Sequence, residues 1–145
     1  MPSSLSPVIA FYSVVDEEET LLTAYDFSTM TVGETTVSST ERTIRIKNES
    51  NATDALNPIV YLGGADAQEI SDGGWCQIKI VSNNGIEVTT DEFEPVTNNP
   101  VTTKEFNLNI EAARYVDILV KVVMPGGTLA GQYDWKLAVK YEYTV

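Results

Sequence analysis

Near the C-terminal end, two runs of this chain alternate apolar and polar residues with a period of two. That pattern constrains the fold more than any other feature. In the first run, Arg114 to Met124, the even positions hold Val116, Ile118, Val120, Val122 and Met124, and Tyr115, Asp117, Leu119, Lys121 and Val123 form a mixed odd face. In the second, the odd positions hold Tyr133, Trp135, Leu137, Val139, Tyr141, Tyr143 and Val145, with Asp134, Lys136, Ala138, Lys140, Glu142 and Thr144 between them. Successive side chains of a strand point to opposite faces, so each run reads as a strand with one buried face. The connection Pro125-Gly126-Gly127-Thr128-Leu129-Ala130-Gly131 is rich in turn residues, and the two strands are expected to pair as an antiparallel hairpin.

The same signal recurs in shorter form upstream. Val8–Val15, led in by Pro7, reads as a first strand, Leu22–Phe27 as a second and Ile59–Leu62 as a faint one. Thr43–Lys47 places Ile44 and Ile46 inward, and Trp75–Val81 puts Cys76, Ile78 and Ile80 on one face. Asn83-Asn84-Gly85 is a tight-turn sequence, because Asn and Gly tolerate positive φ, and it leads into a strand at Ile86–Thr90. Lys104–Ile110 turns Phe106, Leu108 and Ile110 inward. Helical periodicity is almost missing. The expectation is an all-β protein: a single antiparallel β-sandwich of about eight or nine strands. Its long connections, at 48–57, 63–74 and 91–103, suit Greek-key crossovers. Residues 1–7 read as an N-terminal arm and 8–145 as one domain, in keeping with a length of 145 residues.

Composition narrows the function. Apolar residues make up 43% of the chain and run along its whole length, so it is not a disordered tail. The longest apolar run, Ile118–Met124, is broken by Lys121, and no segment is long enough to span a bilayer as a helix. The opening Met-Pro-Ser-Ser-Leu-Ser-Pro has neither a positive charge nor an apolar core, so a secretory signal is expected to be absent, or already removed and replaced by a starting Met. A single cysteine, Cys76, excludes an internal disulfide and suits folding in a reducing cytoplasm. The net charge is −12, and the nine basic residues are scattered along the sequence. Phosphate recognition needs a concentrated positive surface, so neither nucleic acid nor an anionic membrane is the expected partner.

With no histidine, the usual general base and the usual zinc ligand are both missing. Cys76 lies on the apolar face of its strand, where a structural thiol is expected rather than a nucleophile. No Gly-x-Ser-x-Gly elbow and no glycine-rich phosphate loop occurs. Carboxylates alone can hydrolyse a glycosidic bond, and the candidates are Asp91, Glu92 and Glu94, or Asp66, Glu69 and Asp72. Both sets fall in loops and read as solvated acids. Asp16-Glu17-Glu18-Glu19 lacks the spacing and central glycine of a calcium loop and reads as a solvated turn, and Asp54, Asp66 and Asp72 make a weaker metal set still. No cofactor, metal or catalytic residue is therefore expected. Trp75, Trp135, Tyr61, Tyr115, Tyr133, Tyr141 and Tyr143 offer a sugar-stacking platform as the alternative to core packing. Asn48-Glu49-Ser50 and Asn51-Ala52-Thr53 match the N-glycosylation pattern by chance.

Three segments carry a resemblance. Phe27-Ser28-Thr29-Met30-Thr31-Val32-Gly33-Glu34 runs into Thr43-Ile44-Arg45-Ile46-Lys47-Asn48, followed by Ala52 to Asn57. The third is the stretch from Val120 through Pro125-Gly126-Gly127-Thr128-Leu129-Ala130-Gly131-Gln132-Tyr133. Together they resemble the immunoglobulin-like β-sandwich domains in structural proteins of tailed bacteriophages, over about half the chain. The Cys-Trp-Cys framework of antibody domains is absent. The resemblance implies a non-enzymatic virion accessory protein, made in the host cytoplasm, that decorates a capsid or forms part of a head fibre or tail. Its partners would be the major capsid protein or other virion proteins, with homo-oligomerisation as a further option. Pro2, Leu5 and Pro7 of the arm, with Tyr141 and Tyr143 near the chain end, are the candidate partner interface. The alternative is a carbohydrate- or cell-surface-binding module at the cell surface or secreted.

Overall fold

The computed structural model describes residues 7–21, 37–38, 41–98, 109–127 and 133–143. Ten strands and one short helix lie in them: β1 (Ile9–Val15), β2 (Glu18–Leu21), β3 (Val37–Ser38), β4 (Arg42–Asn48), β5 (Leu56–Gly63), α1 (Ala67–Gly73), β6 (Cys76–Asn83), β7 (Ile86–Glu87), β8 (Glu94–Pro95), β9 (Tyr115–Met124) and β10 (Lys136–Glu142). Every strand pair is antiparallel. The protein is all-β, as its alternation predicts. The expected strands at Leu22–Phe27 and over residues 104–108 lie outside the described residues.

The larger sheet runs β2-β1-β4-β9-β6-β7, with β3 also paired to β9 and β8 to β6. Its centre is β9, the first alternating run. Val116, Ile118 and Val120 are fully buried, and Val122 and Met124 are 7% exposed. Opposite them stand Ile46 and Ile44 of β4 and Ile80, Ile78 and Cys76 of β6. Directly opposed residues share a face, so these side chains make one apolar layer. The second sheet pairs β5 with β10, and its Val60 and Leu62 join the same core.

The expected hairpin between the two C-terminal runs does not form. β9 is flanked on both sides, by β4 and by β6, so neither edge is left for β10. The chain crosses instead to the other sheet, where Leu137 and Val139 lie opposite Leu62 and Val60. The faint strand at Ile59–Leu62 is thus the core of an eight-residue strand. Gly64 makes the crossing tight. Its φ is +108°, and a Cβ there would stand 2.8 Å from the Trp135 Cα and 2.9 Å from the Asp134 oxygen.

Three smaller departures are local. The acidic run expected as a turn is a turn only at Asp16 and Glu17; Glu18 and Glu19 pair with Val15 and Val14. The strand expected over Ile86–Thr90 covers only Ile86–Glu87. The 63–74 connection contains α1, which buries Ala67 and Ile70 and ends at Gly74 in the left-handed conformation, with φ 63°. Seven residues are too few for periodicity to show in sequence.

Candidate interaction surface

The outer face of the larger sheet gathers charges that are far apart in sequence. β4 contributes Arg45 and Lys47, β6 Lys79, and β9 Tyr115, Asp117, Leu119 and Lys121. Tyr12 of β1 lies opposite Arg45 and Leu21, and Glu19 lies opposite Val14. Four of the nine basic residues therefore share one face of a chain with 21 acidic residues. No sequence run signals this, because each strand contributes only one or two of them and the register assembles the rest.

One half of the face is internally neutralised. The Arg45 guanidinium donates from Nε to Asp117 Oδ1 at 2.8 Å and from Nη2 to Asp117 Oδ2 at 3.0 Å, with both side chains about 15% exposed. It also lies 3.7 Å from the centroid of the Tyr115 ring and 3.7 Å from a Glu19 carboxylate oxygen. The hydrogen bond to Asp117 raises the Arg45 pKa further, so this charge is permanent. Lys47 reaches Glu19 at 3.4 Å and stands 5.5 Å from the Tyr12 ring. The Tyr12 hydroxyl donates to Glu49, which pushes its pKa up. Bidentate Arg–carboxylate contacts fix orientation as well as charge.

The other half is not neutralised. Lys79 and Lys121 converge on one ring, Phe93, at 5.3 and 4.2 Å from its centroid. Neither has a carboxylate within ion-pair distance among the described residues. A ring face attracts a cation but does not cancel its charge, so both remain open to an anion.

The expected interface residues fare unevenly. Pro7 is buried, and its carbonyl accepts the Tyr141 hydroxyl at 2.8 Å. These two residues are brought together, but to tie the chain's beginning to its last strand. Tyr143 is 42% exposed. Pro2 and Leu5 lie outside the described residues.

Four of the carboxylates weighed for catalysis or metal binding hold structural hydrogen bonds. Asp91 accepts the Ile80 N–H at 2.7 Å, Asp66 the Asp134 N–H at 2.6 Å, Asp72 the Gln68 amide at 2.7 Å, and Asp54 the Ala112 N–H at 2.9 Å. Among the described residues no three carboxylates or thiols gather as a metal site. Cys76 is fully buried, and burial raises its thiol pKa far above the reactive range. Trp75 is 6% exposed and meets Tyr133 edge to face at 4.8 Å and 70°, so these two rings form no flat platform. Asn48 of the first glycosylation pattern is fully buried, whereas Asn51 is exposed.

The end of the sheet near Asn83 holds a cavity of about 690 Å³, lined by Asn83, Asn84, Gly85, Ile86, Val88, Glu111 and Arg114. The Asn83 amide is buried with no hydrogen-bond partner on either atom. Around it other asparagines pin loops: Asn48 Nδ2 donates to the Thr53 and Ile110 oxygens at 2.9 and 3.1 Å, and Asn84 Nδ2 to the Asn109 oxygen at 2.9 Å.

Comparison with known protein families, curated proteins and solved structures gives no match.

Proposed function

We propose that this chain is a non-enzymatic structural domain that attaches to a larger protein assembly. The outer face of the larger sheet carries this reading. Its Arg45–Asp117–Tyr115 and Lys47–Glu19 contacts hold rotamer-rich side chains in place before any partner arrives. Preorganisation of that kind lowers the entropy cost of association, and a fixed charge pattern selects the partner. A mixed face of this type, half neutralised and half open, favours a protein surface over nucleic acid, whose phosphates would be repelled by a chain of net charge −12.

The particular assembly proposed is a tailed-bacteriophage particle, with the chain as an accessory protein on a capsid or tail and the fold an immunoglobulin-like Greek-key sandwich. The segments around Thr43–Asn48 and Pro125–Gly131 support it by resemblance. The Tyr141–Pro7 hydrogen bond supports attachment through an N-terminal arm, since it fixes the residue at which the proposed arm joins the domain. The test is electron microscopy with mass spectrometry of particles purified from the source. The expected result is the chain at a repeated position on the shell or tail. Particles that lack it sink the virion reading.

A further inference from the structure

The two halves of the larger sheet's outer face carry opposite charge at nearly the same height. On one side the β1–β2 turn exposes Asp16, Glu17 and Glu18. On the other stand Lys79 and Lys121 with Phe93 between them and no carboxylate within ion-pair distance among the described residues. The register sets the height. Val15 ends β1 beside the turn, two pairs beyond the last β1–β4 partners, Ser13 and Ile44, and so in line with Arg42. Arg42, two residues from Ile44, lies opposite Val120, and Val120 opposite Ile78. Lys121 follows Val120 and Lys79 follows Ile78, and because these strands are antiparallel the two lysines lie one position to either side of this row on the outer face.

The chain cannot join the two groups within itself. With strands about 4.8 Å apart, Lys121 on β9 is two spacings from β1 and Lys79 on β6 is three, about 10 and 14 Å. Glu19 and Asp117, which form ion pairs on this face, are engaged by Lys47 and Arg45. A second copy has no such restriction. Its acidic turn is narrow and exposed at the edge of a sheet, and the lysine pair offers two point charges flanking an apolar ring.

We infer that the occupant of the Lys79–Phe93–Lys121 cluster is the Asp16–Glu18 turn of a second copy of this chain. The contact is heterologous: one copy's turn meets another copy's lysines, leaving a turn and a lysine pair free at the two ends. Contacts of this kind close into rings or extend as filaments. The inference rests on the outer face being an assembly surface, and it names what that surface takes.

The experiment is sedimentation velocity of the full chain across a concentration series. In about 0.1 M salt, screening over about 10 Å weakens the repulsion between whole molecules but spares contacting pairs; about 1 M salt, at about 3 Å, removes both. The expected result is a mass that rises with concentration in the first buffer and stays monomeric in the second. Lys79→Glu with Lys121→Glu abolishes the rise, as does Glu17→Lys with Glu18→Lys. Mixing these two double variants restores it, because each then meets its opposite. Lys79→Gln with Lys121→Gln, which removes charge without reversing it, gives the same loss and guards against misfolding of the reversed form. Three results overturn the inference. One is a wild-type chain that stays monomeric in both buffers. Another is a Lys79→Gln/Lys121→Gln variant that associates like wild type. The third is a monomeric wild type that binds poly-glutamate, which assigns the cluster to a foreign acidic protein and leaves the assembly reading standing.

Discussion

The two faces of β9 are built from the same ten-residue stretch and held by different physics. Its inner face, Val116 to Met124, is apolar and closed over by β4, β6 and the second sheet. Burial there contributes about 1.5–3 kcal/mol for each large side chain, with no directional requirement beyond shape. Its outer face, Tyr115 to Lys121, is half-buried and depends on direction: a bidentate ion pair, cations over aromatic rings and the unneutralised Lys121. Contacts of that sort near solvent contribute about 0–1 kcal/mol each. The inner face therefore carries stability, and the outer face carries specificity at little cost to folding.

Substitutions can break that contrast. Ile118→Ala leaves a cavity at the centre of the inner layer and is expected to lower unfolding free energy by about 3 kcal/mol in a denaturant titration. Asn48→Ala strips partners from the Thr53 and Ile110 carbonyls and from the Ser50 N–H, with an expected loss of about 2 kcal/mol by the same measurement. Asn83→Leu runs the other way. Its amide is buried and bonded to nothing, so an apolar replacement of similar size should raise the melting temperature, by about 1–2 kcal/mol in stability. Outer-face changes should be smaller. Asp117→Ala is expected to lose about 1 kcal/mol, and a loss as large as that of Ile118→Ala would erase the distinction between the faces. Glu17→Gly sharpens it least. Glu17 has φ 68°, which glycine adopts without strain, and the expected gain is a few tenths of a kcal/mol in thermal unfolding.

How much was legible varied with the length of the pattern. The ten residues of β9 and the buried faces of β4 and β6 could be read directly, because period two persists long enough to be unambiguous. β5 was faint, since Asn57 and Pro58 interrupt its start and hide an eight-residue strand. α1 gave no signal because it holds only about two turns and owes its place to Ala67 and Ile70 packing into the core. Of the candidate interface residues, Pro7 and Tyr141 proved to bond to each other, a contact 134 residues apart that no local pattern encodes. Arg45, Lys47, Lys79 and Lys121 were missed together, for they look scattered until strand order is known.

By itself the sequence determined the all-β class, the inward face of each long strand, the turn at Asn84-Gly85 and the burial of Cys76. These follow from side-chain alternation and from backbone preferences that act within a few residues. Tertiary structure alone decided that β10 pairs with β5 rather than with β9, and that four cations from three strands meet on one face. Pairing is a competition among all strands for a limited number of edges. Once β4 and β6 occupy both sides of β9, its nearest neighbour in the chain has to find its partner in the other sheet.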